Sequence, residues 1–227
     1  MALRAIVFDF DGVLANSEPL HLRSFQSVLA REGITLTEND YYAQFLGFDD
    51  AGAFAAMGAA HGHHWPASHI AELVARKAAQ MEILERDISI LFPGAADVVR
   101  RAAAEVPIAI ASGALGVEIR RVLAREKLTD QFAAIVSAND TASSKPSPDP
   151  YLRAVKALGR ATGGSLAAAD CVAVEDSRWG LQSARAAGLR TVAVAQSYDR
   201  SALSEADLVV DKIADLDLRA LARLCAE

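Results

Sequence analysis

The chain has 227 residues, of which 52% are hydrophobic and 23% charged, a composition typical of a globular protein with a sizeable core. Its formal net charge of −6 provides no basic surface and argues against nucleic acid as a partner. Two cysteines are too few for a disulfide framework, and no apolar run reaches the roughly 18 residues of a membrane span, so we expect a cytoplasmic protein that binds neither nucleic acid nor membrane.

A short apolar strand is predicted at residues 4–8, and the next run of the same kind comes only at residues 107–111. The sequence between them has helical periodicity. Helices are predicted at residues 17–31, 37–45, 49–60 and 66–86. For the first of these helices, Ser17 suits the N-cap and Gly33 the stop.

Strands and helices alternate after the Phe92-Pro93-Gly94 segment. The predicted strands are 107–111, 133–136, 171–175, 190–194 and 207–210. The predicted helices are 95–105, 116–126, 148–158, 177–187 and one at the C-terminus. This alternation predicts an α/β fold with a doubly wound, parallel, Rossmann-like sheet.

The helical stretch interrupts that sheet after its first strand. We therefore predict a core domain of residues 1–15 and 92–227 and an inserted small helical cap domain of residues 16–91. Ligands of open α/β sheets bind outside the carboxyl ends of the strands, so the insertion begins at the ligand edge and can close over it. Gly12 and the segment 92–94 are candidate hinges.

Polar side chains accompany the ends of the predicted strands. They are Asp9 and Asp11 after the first strand, Ser112 after the second, Lys145 in a proline-rich loop, and the pair Glu175-Asp176 after Val172-Ala173-Val174. Because the carboxyl ends of parallel strands share one edge, these side chains form one constellation. Its chemistry fits phosphoryl transfer through an aspartate, assisted by a divalent metal.

Asp9 is the candidate nucleophile, because a carboxylate forms an acyl phosphate that can be hydrolysed again. Asp11 is the candidate general acid and base, since that role needs a second carboxyl group. Gly12 permits a tight turn beside them. The plainer interpretation, that such acids only cap a turn, fits a lone aspartate better than Asp-Phe-Asp-Gly after an apolar strand.

Two aspartates facing a phosphate need positive compensation, which an oxygen-preferring Mg²⁺ supplies. Asp176, Asp9 and the Asp11 carbonyl are its candidate ligands, and Glu175 is a ligand either directly or through water. The acidic pair also suits N-capping of the helix that begins near Ser177, and the two roles are compatible.

Phosphate binding is assigned to Ser112, the Gly113 amide and Lys145, because a transferred phosphoryl group needs donors for its oxygens. A serine before a glycine is also typical of a turn or helix cap. The sequence Lys-Pro-Ser-Pro-Asp-Pro is stiff and can hold Lys145 inward, although a solvated loop charge is its alternative.

The four segments together resemble the motifs of the haloacid dehalogenase superfamily of phosphohydrolases. In order, they are Phe8-Asp9-Phe10-Asp11-Gly12-Val13-Leu14, Ala111-Ser112-Gly113, Ser144-Lys145-Pro146 and Val174-Glu175-Asp176-Ser177. The resemblance implies a nucleophile at Asp9, an acid/base at Asp11, phosphate binding by Ser112 and Lys145, and Mg²⁺ bound by Asp9, Asp11 and Asp176. It also implies a small helical cap after the first motif.

Asn16-Ser17-Glu18-Pro19-Leu20-His21 with Gly33 resembles the branch that contains β-phosphoglucomutase, phosphoglycolate phosphatase and sugar-phosphate phosphatases, although that branch usually has Asp at position 16. In the mutase an arginine soon after a cap glycine holds the distal phosphate, whereas Gly47 is followed here by Phe48-Asp49-Asp50. Asp50 therefore favours a phosphatase over a mutase. His21, which matches a family histidine, is expected to position Asp11, and Lys77 to meet a substrate phosphate.

Other interpretations stay open at this stage. A phosphoaspartate switch or a module that only binds phosphometabolites would use similar groups, although the cap and Asp11 favour turnover. The segment His61-Gly62-His63-His64-Trp65 is expected to be an exposed turn and not a metal site. Phe45, Phe48 and Trp65 are expected to pack in the core of the cap, with the lining of a substrate pocket as the alternative. We expect a small phosphorylated metabolite as substrate, and a monomer or weak homodimer.

Overall fold

The computed structural model describes residues 3–45, 48–86 and 88–226. Its strands are β1 (Ala5–Phe8), β2 (Ile108–Ala111), β3 (Phe132–Val136), β4 (Cys171–Glu175), β5 (Arg190–Val194) and β6 (Leu208–Val210). The pairings between these six strands are parallel, and the strand order is β3-β2-β1-β4-β5-β6. The predicted α/β fold with a doubly wound parallel sheet is thereby confirmed.

The helices follow the predicted order closely. They are α1 (Glu18–Ala30), α2 (Glu38–Asp40), α3 (Asp50–Ala60), α4 (Ala67–Glu85), α5 (Ala95–Glu105), α6 (Gly116–Arg125), α7 (Asp149–Ala161), α8 (Arg178–Ala186) and α9 (Leu218–Leu224). None of the helices within the described ranges is long and apolar enough to cross a membrane.

The strands β1, β2 and β4 are buried along their whole length, which is usual for parallel sheets covered on both faces. On one face, Val7 of β1, Ala109 of β2 and Ala173 of β4 pack with Tyr151 and Leu158 of α7 in one buried cluster. Strand β1 pairs with β2 on one side and with β4 on the other. The residue that follows β1 therefore emerges near the middle of the carboxyl edge.

The chain forms two compact units, Met1–Asn16 with Ile90–Glu227 and, separately, Ser17–Ser89. The helical unit has a core of its own, in which α1 packs against α4. Phe25 and Phe54 meet there edge to face with ring centroids 5.0 Å apart, and Met57 and Leu73 are buried beside them. This unit therefore has an apolar interior independent of the sheet.

Two local expectations at the start of the helical unit were wrong. Ser17 stands at the N-cap of α1 but forms no side-chain cap, because its backbone is already helical (φ −81°, ψ −24°) and capping needs an extended residue. The single helix expected at residues 37–45 is instead the short α2 followed by a π-helical turn, Tyr41–Phe45. Thr37 caps α2, accepting from the Asp40 amide at 3.1 Å.

Candidate active site

Asp9 is held at the end of β1 by its own backbone and by the sheet. Its amide donates to the Val174 carbonyl of β4 at 2.9 Å, which continues the sheet pairing one residue beyond β1. The side-chain oxygen Oδ1 accepts from the Phe10 amide at 2.7 Å. The second oxygen, Oδ2, lies 2.9 Å from Lys145 Nζ. Asp9 is therefore buried and oriented, with one oxygen directed at a cation.

Lys145 is the cation of the site, and the alternative of a solvated loop charge does not apply to it. Its ammonium nitrogen contacts Asp9 Oδ2 at 2.9 Å and Glu175 Oε1 at 2.6 Å, and 12% of its side chain is exposed. Burial alone would lower the pKa of Lys145, but the Asp9 and Glu175 carboxylates outweigh burial and raise that pKa above its usual range. The lysine therefore stays charged.

Glu175 and Asp176 extend the cluster from the end of β4. Burial first, and then the neighbouring Asp9 charge, raise the pKa of both carboxyl groups above their usual ranges. The predicted N-capping role falls to Ser177, whose hydroxyl accepts from the Gly180 amide at 3.1 Å. The acidic pair is thus left for the site and does not serve as a helix cap.

Three buried carboxylates in this cluster could hold a metal ion. Asp9, Glu175 and Asp176 each offer an oxygen, and these atoms lie within 4.8 Å of one another. It is the one group of at least three potential ligands found in the described part of the chain. An all-oxygen, negatively charged set suits a hard divalent cation such as Mg²⁺. The donor chemistry and the mutual repulsion of these carboxylates therefore fit a bound cation.

Asp11 lies in a tight loop directly after Asp9 and is half-buried. The Phe10 carbonyl accepts from the amides of Leu14 and Ala15, at 2.9 Å and 2.8 Å, which folds the loop back on itself. Gly12 has a φ of +75°, and an added Cβ would lie 1.8 Å from Asp176 Oδ2. Only glycine fits at that position, because both the backbone conformation and the space require it.

Ser112 and Gly113 follow β2, the neighbour of β1, and so belong to the same sheet edge. The Ser112 amide donates to the Val136 carbonyl of β3 at 3.0 Å. Its hydroxyl accepts from the Ala114 amide at 3.1 Å, which is the turn-forming role. Nothing lies within 4 Å of a Cβ built at Gly113. Ser112 is buried and shapes the turn, and Gly113 is an exposed, open point of the edge.

The structure adds two residues that the sequence did not suggest. Tyr151, in the first turn of α7, donates its hydroxyl proton to Glu175 Oε1 at 2.5 Å. Gln196, after β5, donates to the carbonyls of Gly12 and Val13 at 3.1 Å and 3.2 Å, and so fastens the loop that carries Asp11. Neither residue forms a recognisable motif with its sequence neighbours. The position of Tyr151 six residues after Lys145 is the one sequence feature that could have suggested it.

The candidate substrate-binding residues of the helical unit are centred on Lys77. Lys77 is almost fully buried and forms an ion pair with Asp50, whose side chain is 35% exposed. The Lys77 ammonium also lies 2.7 Å from His21 Nδ1 and 4.5 Å from the centroid of the Phe25 ring. Gly47 lies outside the described residues. In this arrangement the charge of Lys77 is already compensated inside the helical unit.

The histidine-rich segment follows α3 and is exposed from His61 to His64. His61 Nδ1 lies 2.9 Å from the Met57 carbonyl, and the His63 ring stacks on Trp65. Phe45 is buried in the core of the helical unit. Phe48, in contrast, is exposed, so the expectation that it packs in that core was wrong.

Comparison with known proteins identifies the family. The profile of the family described as "Haloacid dehalogenase-like hydrolase" matches residues 6–194. Protein CbbY of Rhodobacter capsulatus is 34% identical over 207 residues, covering 88% of each chain. Beta-phosphoglucomutase of Bacillus subtilis is 27% identical, covering 96% of this chain and 94% of its own. Hexitol phosphatase B of Escherichia coli K12 is 29% identical, covering 90% of each.

A solved structure has the same fold over nearly the whole chain. CbbY from Rhodobacter sphaeroides, crystallised as a mutant in complex with xylulose-(1,5)bisphosphate, superimposes with a TM-score of 0.79 at 28% identity. The match covers 95% of this chain and 96% of that one. The sheet order, the acidic cluster at its carboxyl edge and the match to the family profile agree: the chain is an enzyme of the haloacid dehalogenase-like hydrolase family.

Proposed function

We propose that this protein is a Mg²⁺-dependent phosphatase that hydrolyses a small phosphorylated metabolite, of the sugar phosphate or phosphoglycolate type, through a phosphoaspartate at Asp9. The observation that carries the proposal is the orientation of Asp9. Its Oδ1 is occupied by the Phe10 amide, and its Oδ2 faces the Lys145 ammonium at 2.9 Å. One oxygen of a fixed carboxylate is therefore directed to a point where a cation can also meet a phosphate oxygen.

In the first half of the proposed reaction, Asp9 Oδ2 attacks phosphorus. The bond from Asp9 to phosphorus forms while the bond from phosphorus to the substrate's ester oxygen breaks. Asp11 donates its proton to that leaving oxygen, so an alcohol departs. Lys145, with the Gly113 amide and Ser112 at the same edge, supplies positive charge and donors for the phosphoryl oxygens during transfer.

In the second half, water attacks phosphorus and Asp11 accepts a proton from that water. The bond between phosphorus and Asp9 Oδ2 breaks, which restores the carboxylate and releases inorganic phosphate. Asp11 is then protonated again for the next cycle. Retention of Asp9 in one orientation by the Phe10 amide serves both halves, because the same oxygen is attacking atom and leaving atom.

Asp9, Asp176 and the Asp11 carbonyl would hold Mg²⁺, with Glu175 joining them directly or through water. When bound, the ion supplies positive charge that lets an anionic phosphate approach anionic carboxylates. The burial of Asp9 and Asp176, and the raised pKa of Asp176 caused by burial and by the neighbouring carboxylates, support a cation at this place.

Hydrolysis is preferred over a mutase reaction because of the helical unit's charges. A mutase must hold a second, distal phosphate, for which a free cation is the ordinary partner. Lys77 is paired with Asp50 and packed on Phe25 inside the helical unit, and Asp49 and Asp50 add negative charge. The similarity to a beta-phosphoglucomutase favours the mutase as the second candidate, and the similarity to a hexitol phosphatase favours hydrolysis.

The test of the proposed chemistry is release of inorganic phosphate from p-nitrophenyl phosphate with and without Mg²⁺. We expect Mg²⁺-dependent turnover that falls at least ~10³-fold in Asp9→Asn. A panel of sugar phosphates, sugar bisphosphates, phosphoglycolate and nucleotides then identifies the substrate class. A stable phosphoaspartate without turnover on any of them would favour the switch, and failure to form one would favour a binding module.

The mutase is tested separately with β-glucose 1-phosphate and a trace of the 1,6-bisphosphate. Rapid formation of glucose 6-phosphate without net release of phosphate would overturn the phosphatase.

We also propose that the unit Ser17–Ser89 acts as a cap, that the protein is a monomer or weak homodimer, and that it acts in the cytoplasm. Light scattering of the purified protein tests the oligomeric state.

A further inference from the structure

Tyr151 lies behind the proposed catalytic groups without being one of them. It is fully buried in the core between α7 and the sheet, among residues such as Val7, Ala109 and Leu158. Its hydroxyl nevertheless leaves that apolar core and donates to Glu175 Oε1 at 2.5 Å. A buried tyrosine whose polar atom has one charged partner is held firmly in a single orientation.

The same oxygen, Glu175 Oε1, also accepts a hydrogen bond from the Lys145 ammonium. Glu175 Oε1 lies 2.6 Å from Lys145 Nζ, which in turn lies 2.9 Å from Asp9 Oδ2. The contacts therefore run in series from the tyrosine hydroxyl through the glutamate and the lysine to the proposed nucleophile. The carboxylate oxygen can only accept, so the tyrosine hydroxyl is the donor of this hydrogen bond.

The tyrosine ring provides a second contact to the lysine. The centroid of the Tyr151 ring lies 5.4 Å from Lys145 Nζ, which is within cation–π distance. On the other side of the carboxylate, the Ser177 hydroxyl lies 3.4 Å from Glu175 Oε2. Both oxygens of Glu175 thus have partners, and the lysine contacts the ring as well as the carboxylate.

We propose that Tyr151 is a positioning residue for the hydrolase reaction: it fixes Glu175, and through Glu175 it holds the Lys145 ammonium against Asp9. The proposal rests on the proposed function for its kinetic consequence. Lys145 contacts the phosphoryl group most strongly as its charge develops, so a loosely held lysine costs turnover more than it costs substrate binding. Tyr151 itself touches neither substrate nor reacting atoms.

The kinetic test is Tyr151→Phe, which removes the hydroxyl and keeps the ring. We expect kcat for p-nitrophenyl phosphate to fall about tenfold, with KM changed less than twofold. Tyr42→Phe, a substitution of an exposed tyrosine in the helical unit, is the matched control and leaves both constants unchanged. Thermal unfolding of each variant shows whether it is folded at the assay temperature.

A double-mutant cycle with Glu175→Gln tests whether the tyrosine acts through the glutamate. We expect Tyr151→Phe to lower kcat less than twofold when Glu175 is already glutamine, because the glutamate that links the tyrosine to Lys145 is then absent. Equal costs in both backgrounds would overturn the proposal, as would an unchanged kcat in Tyr151→Phe. A loss of kcat that vanishes at lower temperature, where the variant is fully folded, would also overturn it.

A readout without substrate separates this inference from the proposed function. Ammonium protons held by buried partners exchange slowly with water, so we expect a ¹H–¹⁵N signal of the Lys145 ammonium in the wild type, assigned with Lys145→Met. That signal should broaden or disappear in Tyr151→Phe and persist in Tyr42→Phe. If it does so while no phosphate ester is hydrolysed, the proposed function fails and the positioning role stands. If Tyr151→Phe keeps the signal unchanged, the positioning role fails.

Discussion

Gly180 leaves room for the Glu175 carboxylate, and no other residue type would. A Cβ built at Gly180 would lie 1.9 Å from Glu175 Oε2 and 2.1 Å from Oε1. The glycine stands in the first turn of α8, where its amide donates to Ser177 Oγ at 3.1 Å. A glycine is therefore required at this position for lack of space, because α8 lies against a fully buried carboxylate that also contacts Lys145.

Gly180→Ala should displace that carboxylate and so disturb Lys145. We expect kcat/KM for p-nitrophenyl phosphate to fall at least tenfold and the free energy of unfolding to fall by about 2 kcal/mol, the usual cost of overpacking. Initial rates and urea denaturation measure the two effects. Gly164→Ala is the matched control, since nothing lies within 4 Å of its added Cβ. Wild-type rates in a folded Gly180→Ala would show that the carboxylate can move without consequence.

Asp176→Asn should stabilise the metal-free protein. Burial and the nearby Asp9 and Glu175 charges raise the pKa of Asp176, so ionisation of this carboxyl group at neutral pH opposes folding. In the presence of EDTA we expect Tm to rise by roughly 2–4 °C, which corresponds to about 1 kcal/mol for a chain of this size. Differential scanning calorimetry at pH 7 measures the shift.

Added Mg²⁺ should make the Tm of the wild type higher than that of Asp176→Asn. If Asp176 is a ligand, the wild type gains Tm as Mg²⁺ is added, because the ion binds the folded state, whereas Asp176→Asn gains little. Asp170→Asn, a substitution close in sequence but outside the acidic cluster, should respond to Mg²⁺ like the wild type. An equal Mg²⁺ response in Asp176→Asn would remove this residue from the proposed ligand set.

Ser24→Ala should stabilise the helical unit. The Ser24 hydroxyl is buried in α1 and has no hydrogen-bond partner among the described residues. Removing an unsatisfied buried hydroxyl and introducing alanine into a helix both favour folding, by about 1–2 kcal/mol together. Ser27→Ala in the same helix, where the side chain is half-buried, controls for helix propensity. A destabilised Ser24→Ala would mean that the hydroxyl has a partner in solution, such as a water molecule.

The sheet and its order of elements could be predicted because each strand is a short, continuous apolar run bounded by turn residues. Asp9, Asp11 and Gly12 could be singled out because they stand together directly after such a run. Tyr151 could not, since its contact with Glu175 spans 24 residues and arises only when α7 packs on the sheet. The roles of all these residues stay predictions.

Lys77 shows why the helical unit was harder to interpret. A lysine beside Arg76 in a polar helix suggests a surface cation, and it was predicted to meet a substrate phosphate. The structure shows that Lys77 is not a surface cation: it is buried between Leu73 and Met81, which precede and follow it by four residues on the same face of α4. That spacing was visible in the sequence, but the partner that makes the burial tolerable, Asp50, lies on another helix. The contact of Lys77 with a substrate phosphate stays a prediction.

Acid should destabilise the helical unit through His21. Burial first, and then the Lys77 charge, lower the pKa of His21 to about 3. His21 is therefore protonated near pH 6.5 in the unfolded chain but only near pH 3 in the folded chain. Its contribution to the free energy of unfolding is complete above pH 6.5 and is lost as the pH falls from 6.5 towards 3. The slope approaches about 1.4 kcal/mol per pH unit, or roughly 2 kcal/mol between pH 7 and pH 5.

His21→Gln should flatten this dependence, because a glutamine oxygen can still accept from Lys77 and the group no longer titrates. Urea denaturation at pH 7 and pH 5 measures the difference, with the exposed His64→Gln as the matched control that keeps the wild-type slope. Glu18 acts in the opposite direction, since burial raises its pKa and favours its protonated form in the folded state. The comparison between variants is therefore decisive: equal slopes in His21→Gln and the wild type would show that His21 is protonated in the folded state at pH 5.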